Sequence, residues 1–241
     1  MDVASPGLAV YAARHAAEAN LRDDLLAILS RYAPLGPVED VPELLCHGAE
    51  DVYGLWAAYE AHWPGSGPSE APFWALAWPA ARLAARWLLE HPEAVAGKRV
   101  LEIGCGGALA AIAAAKRGAA VVYGNDVAPE ALIVAESNAL ANGVQLELLC
   151  EDALVSLVDR GPWDVVLAAD FFYEREASSG VAAALLRARQ AGAQVWIADG
   201  GRAFVPRDVA QRVLVEAELA VSVAVEGCAT RRVRLLELLA G

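Results

Sequence analysis

Glu102, Gly104 and Gly106 stand within one short stretch, Glu102-Ile103-Gly104-Cys105-Gly106-Gly107-Ala108, where an apolar run meets glycines. A strand that opens on glycines and continues as a helix presents free backbone amides, and a ligand can approach them closely. The loop alone does not choose its ligand, and a tight strand-to-helix turn with no ligand would use the same residues. Its neighbours narrow the choice. A dinucleotide loop wants a third glycine three residues after Gly106, and Leu109 stands there. Glu102, two residues before the first glycine, puts a carboxylate at the strand end, which suits a cation.

S-adenosylmethionine answers to that chemistry, since it has no phosphate and carries a sulfonium and an ammonium group. Asp126 ends the next apolar run, where a carboxylate can bind both ribose hydroxyls. That role is common to nicotinamide and methionyl nucleosides, so it supports nucleoside binding without choosing between them. Asp152, past the third run, is placed either to accept from an adenine amino group or to cap a turn. Three acids at three successive strand ends are more specific than any one of them. Asp170 closes a fourth run and precedes Phe171, Phe172 and Tyr173, an acid among aromatics that suits a cationic amine and its alkyl stem.

The elements needed to position these residues are legible in the apolar spacing. From Pro72 onward, strands are expected at Arg99–Ile103, Ala120–Gly124, Val144–Cys150, Asp164–Ala169 and Gln194–Ala198. Helices are expected at Pro79–Leu89, Ala108–Arg117, Pro129–Asn142 and Val181–Ala191. This alternation implies a parallel sheet covered on both faces. Ala220–Val225 and Val233–Leu238 are joined by Glu226–Arg231, too short for a parallel crossover, and are expected to form an antiparallel hairpin at one edge. The expected fold is therefore α/β, a Rossmann-like seven-stranded sheet with an antiparallel terminal hairpin. Residues 1–70 read as a small, mainly helical appendage, with helices over Leu8–Tyr32 and Val52–Trp63, a short strand at Val41–His47 and a loop at 64–69. Residues 71–241 form the main domain.

Composition sets the outer limits. The chain of 241 residues is 57% hydrophobic, enough for a sizeable core. No apolar run approaches the ~18 residues that span a bilayer, and the N-terminus lacks a signal-peptide pattern, so no membrane is expected and the cytoplasm is the default compartment. Cys46, Cys105, Cys150 and Cys228 are far apart and the four histidines are scattered, which suggests reduced thiols and no metal site. The net charge is −12, with Lys98 and Lys116 the only lysines. Nucleic acid is accordingly a poor partner, whereas a basic substrate would be tolerated or attracted; the charge also serves solubility.

Two longer stretches carry a resemblance. Pro72-Phe-Trp74-Ala-Leu-Ala-Trp78-Pro79, leading through a helix to Gly97-Lys-Arg-Val-Leu-Glu102-Ile-Gly104-Cys-Gly106, is one, and Asp164-Val-Val-Leu-Ala-Ala-Asp170-Phe-Phe-Tyr173-Glu174 is the other. They resemble methyltransferase family 16, and most closely its branch of electron-transfer-flavoprotein beta-subunit lysine methyltransferases and their bacterial relatives. Asp199-Gly-Gly-Arg202-Ala-Phe204 resembles that branch's stretch after the fifth strand, with Gly200 where proline is usual. The similarity runs over roughly residues 70 to 210.

The resemblance implies an S-adenosylmethionine-dependent N-methyltransferase whose product is S-adenosylhomocysteine. It implies that Trp78 lines the cofactor pocket, beside Glu102, Gly104, Gly106, Asp126 and Asp152 as read above. It also implies that Asp170 and Tyr173, the D-x-x-Y signature, stand beside the substrate as catalytic residues. The implied partner is a protein with an accessible lysine; a small amine would serve the same aromatic mouth, and a catalytically inactive binding module is the remaining reading. Ala108 replaces the loop's usual third glycine. Trp74 could be lid or core, Phe171 and Phe172 pocket or core, and Arg202 a substrate contact or a loop clamp. The N-terminal helix lacks a match to the Arg-Thr-rich start of close flavoprotein methyltransferases.

Overall fold

In a computed structural model, residues 20–63, 71–152, 160–206 and 209–239 are described. The expected helix start at Leu8 and the loop at 64–69 lie outside them. Helix α1 covers 20–32, followed by strands β1 (Leu35–Val38) and β2 (Val41–His47) and helix α2 (Val52–His62). The main layer follows as α3 (Pro79–Glu90), β3 (Arg99–Ile103), α4 (Leu109–Lys116), β4 (Val121–Asp126), α5 (Pro129–Ala141), β5 (Glu147–Cys150), β6 (Val165–Ala169), α6 (Arg175–Gln190) and β7 (Gln194–Asp199). It closes with β8 (Gln211–Ala220), a helical turn α7 (Val223–Glu226) and β9 (Thr230–Leu238).

Seven strands pair in the order β5-β4-β3-β6-β7-β9-β8. The first five are parallel, while β9 runs antiparallel to both β7 and β8. The central strands are apolar on both faces, as a sheet covered by helices on each side demands. Alternate residues serve opposite layers. Val100, Val165, Leu167 and Trp196 join the cluster under α3 and α4, whereas Leu101, Val166, Ala168 and Val195 join the cluster under α6. Helix α4 is six apolar residues of eight by burial, mostly alanine, and small side chains let it lie close to the sheet and to α3.

The sequence of strands reverses between β3 and β6, and ligands of open α/β sheets enter beside the carboxyl ends at such a switch point. Both the glycine loop and Asp170 leave the sheet there.

Three expectations are corrected. The hairpin's first strand is Gln211–Ala220, not Ala220–Val225. The alternation in 220–225 suits a strand, but Ala220 already pairs with Thr230 at the end of the ladder. The chain then leaves the sheet, closes one helical turn, and reverses on Gly227 at φ 69°. Second, α6 starts at Arg175, six residues before the expected Val181. Third, the short strand expected at Val41–His47 does not stand alone: Leu35–Val38, not expected as a strand, forms β1 and pairs with it in a two-stranded sheet. A proline is tolerated there because it has no second strand to donate to.

The appendage is not held apart from the sheet. Val38, Val41, Leu44 and Cys46 share the cluster that contains α3 and α4, and Leu25, Leu29, Leu55 and Tyr59 pack with Ala75 and Val134.

Candidate active site

A cleft of about 610 Å³ opens over the carboxyl ends of the central strands. Trp78, Glu102, Gly104, Gly106, Asp126, Asp152, Asp170 and Tyr173 all line it, so the structure brings together the residues expected to bind cofactor or act on substrate.

The glycine loop is built as its composition suggests. Gly104 and Gly106 have φ of 62° and 50°, and Ala108 follows at 60°, so the turn into α4 uses left-handed backbone three times. A side chain at Gly107 would meet Asn138 Nδ2 at 3.1 Å and the Trp74 carbonyl at 3.2 Å. Glu102 is buried beneath the loop and accepts from the Ala111 amide in the first turn of α4 at 2.8 Å. Burial pushes its carboxyl up to about 8; the Ala111 amide opposes this and nearby Asp126 reinforces it. Asp126 accepts from Gly106 N (2.9 Å) and Ala128 N (3.0 Å), and burial raises its carboxyl against the pull of those amides. Each oxygen keeps a second lone pair directed elsewhere.

The far wall is an ionic chain. Asp170 sits at φ 49° with only 6% of its surface exposed. One carboxylate oxygen accepts from Ala80 N at the start of α3 (2.8 Å), the other from Arg202 Nε (2.8 Å). Burial raises its carboxyl above the usual range, with the Arg202 charge and the Ala80 amide pulling the other way. Arg202 also grips both oxygens of Glu226 from α7, and Arg231 reaches the same carboxylate. Burial raises Glu226, but the two guanidinium groups outweigh it and hold it below its ordinary value. The turn that delivers Arg202 is folded by Asp199, which accepts from the Gly201 and Arg202 amides at 2.9 Å each. Arg202 is thus a clamp between Asp170 and α7, and it lies over the Trp78 ring at 5.2 Å.

The aromatics divide. Phe172 is fully buried in the core under α6, whereas Phe171 lines the cleft. Tyr173 is 56% exposed and lines the cleft, as do exposed Tyr53 of α2 and Phe73. Trp74 packs partly against the appendage cluster and gives its backbone to the glycine loop. Trp78 donates its indole N–H to the Phe73 carbonyl at 2.9 Å.

Two asparagines escaped sequence reading. Asn138 of α5, fully buried, accepts from His47 N (2.8 Å) and donates to the Gly107 carbonyl (2.9 Å), tying the appendage to the glycine loop. Asn125 donates to the carbonyls of Leu149 and Glu151 and so fixes the segment that carries Asp152. The only available signal was a polar residue inside each apolar pattern.

The donor set fits an adenosyl cation better than a phosphate. Four of the lining acids, Glu102, Asp126, Asp152 and Asp170, face the cleft from the strand ends, and Arg202 is the one guanidinium or ammonium among the described lining residues. That guanidinium is already committed to two carboxylates. Among the described residues no group of histidine, cysteine and acid could hold a metal, and no helix is long and apolar enough to cross a membrane.

Residues 79–170 match the family of ribosomal protein L11 methyltransferase (PrmA). The chain is 35% identical over 150 residues to the electron transfer flavoprotein beta subunit lysine methyltransferase of Danio rerio, covering 62% of this chain and 56% of that one. To the protein of the same name from Xenopus laevis it is 37% identical over 138 residues, 56% of this chain and 55% of that one. The chain therefore spans just over half the length of these curated relatives. A Streptococcus mutans protein described as a SAM-dependent methyltransferase superimposes with a TM-score of 0.51 at 15% identity, over 70% of this chain and 50% of that one. That likeness speaks for the fold alone. Residues 79–170 thus resemble a PrmA-type methyltransferase domain, and the seven-stranded sheet has the fold of the Streptococcus mutans structure.

Proposed function

We propose that this PrmA-like domain makes the chain an S-adenosylmethionine-dependent N-methyltransferase that acts on the lysine side chain of a protein, one of the electron-transfer-flavoprotein beta-subunit kind. The observation that carries the reading is the convergence, in one cleft at the switch point, of three strand-end acids with the Asp170-x-x-Tyr173 corner. When bound, S-adenosylmethionine supplies an electrophilic methyl group and leaves as S-adenosylhomocysteine.

The chain's own residues divide the work. Glu102 and the glycine loop would hold the methionyl end, Asp126 the ribose diol and Asp152 the adenine edge. Trp78 closes the cleft from the side of α3. An incoming lysine must be neutral and in line with the methyl group. Asp170 is pinned on both oxygens, so its part is to orient the amine and stabilise the positive charge that grows on nitrogen, more than to swing as a base. Exposed Tyr173, Tyr53 and Phe73 line the alkyl stem's way in. The appendage, of which residues 20–63 are described, grips the protein, a role supported by Tyr53 and His47 lining the cleft. The cytoplasm is the assigned compartment, in keeping with four cysteines that stand as free thiols.

Radiolabelled methyl transfer tests this directly. Purified chain with labelled S-adenosylmethionine should label a lysine of purified flavoprotein beta subunit, and a protein band in lysate. Absence of any labelled protein overturns the protein-substrate reading. Asp170→Asn should cut transfer at least about 100-fold, an effect of about 2.7 kcal/mol on the barrier, while cofactor affinity stays within about twofold.

A further inference from the structure

Phe171 joins the cofactor loop to the substrate corner. It follows Asp170 directly and packs against Gly104. A Cβ built on Gly104 would lie 2.5 Å from both Cδ2 and Cε2 of the ring but 3.8 Å from Cγ. Two carbons at equal short distance, with the next one farther by nearly a bond length, mean that the ring meets Gly104 edge-on. Its electron-rich faces are therefore turned aside from the loop, and the ring lines the cleft. The neighbouring Phe172 ring is T-shaped to it at 6.4 Å and lies in the core, so it keeps Phe171 from folding inward. Gly104 itself has no room for any side chain while this ring is in place.

Resting on the cofactor assigned above, we propose that Phe171 is a specificity-determining residue, whose ring face packs on the sulfonium and distinguishes the charged methyl donor from its neutral product. An aromatic face attracts a cation within about 6 Å of its centroid, and more strongly when water is excluded. Methyl transfer turns the sulfonium into an uncharged thioether, so this attraction exists for the donor and vanishes for S-adenosylhomocysteine. The ring thus favours loading of the donor and adds nothing comparable to retention of the product. No carboxylate is needed for this discrimination: Glu102, Asp126 and Asp152 are assigned above to the methionyl, ribose and adenine ends, and Asp170 is held by Ala80 and Arg202.

Calorimetry on the full chain with two ligands provides the test. For wild type, Kd is measured for S-adenosylmethionine and for S-adenosylhomocysteine, then again for Phe171→Leu and Phe171→Tyr. Phe171→Leu keeps most of the apolar volume and should weaken S-adenosylmethionine binding about five- to thirtyfold, with S-adenosylhomocysteine affinity held within about twofold. Phe171→Tyr should keep the wild-type ratio. Equal loss for both ligands, or no change in either, overturns the proposal and leaves Phe171 as a space filler. Phe171→Met serves in place of leucine should that variant not fold, with the same expected shift in ratio. Failure of wild type to bind either ligand would instead overturn the cofactor assignment itself.

Discussion

Glu102 shows how a binding role conflicts with stability. Its carboxyl is buried under the glycine loop with one backbone donor, and burial lifts it to about 8 from an ordinary carboxylate value. A raised acid is stabilising in its neutral form, so its contribution is fully present below the unfolded value. It is lost as pH climbs through the window up to about 8. Glu102→Gln removes that titration while keeping a carbonyl for the Ala111 amide. In the absence of cofactor, the variant should melt several degrees above wild type at pH 8.5 and close to it at pH 5, read by thermal unfolding across that range. The same variant should bind S-adenosylmethionine at least about tenfold more weakly at pH 8.5, because the cationic end has lost its carboxylate partner. A variant less stable than wild type at pH 8.5 would contradict the burial account.

The elements position these residues through a few buried polar bridges, and Asn138 is the clearest. It joins β2 to the glycine loop across α5, with no exposure to water. Asn138→Ala would strand the His47 amide and the Gly107 carbonyl in a dry place, at about 2–5 kcal/mol for the two groups and the cavity together. Chemical denaturation measures the loss, and saturating cofactor should recover part of it. This bridge also marks what the sequence could reveal. The strand ends were legible because acids and glycines interrupt apolar runs, and so Glu102, Asp126, Asp152 and Asp170 were found at their places. Asn138 was not, because it follows Glu136 and Ser137 in α5 and reads as surface with them until its neighbours in space are known. Strand β8 was hidden for a related reason: as an edge strand it alternates exposed charges such as Arg212, Glu216 and Glu218 with half-buried residues. The valine alternation of 220–225 looked more like a strand than the real one did. The Arg202–Glu226 pairing follows from that turn, so it could not be read without it.

At the scale of the whole molecule, charge decides which substrates approach. The chain carries a net −12, and Asp170, Glu174 and Glu226 line the same cleft as the exposed aromatics of its mouth. Six acids against one arginine line the cleft among the described residues, and such an excess of one sign draws in the opposite sign from a distance. The reach of that field is set by salt, from about 30 Å at 0.01 M to about 8 Å at 0.15 M. Approach of a basic protein should therefore be salt-sensitive, whereas chemistry at the pinned Asp170 and buried Glu102 should not be. Raising ionic strength from about 0.01 to 0.2 M should raise KM for a lysine-bearing basic protein several-fold and leave kcat within about twofold. A short uncharged peptide with one lysine should show a much smaller change in KM, since only a single charge is steered. If kcat falls with salt as steeply as KM rises, the field acts on the reacting centre itself. In that case the separation between an electrostatic mouth and a screened interior fails.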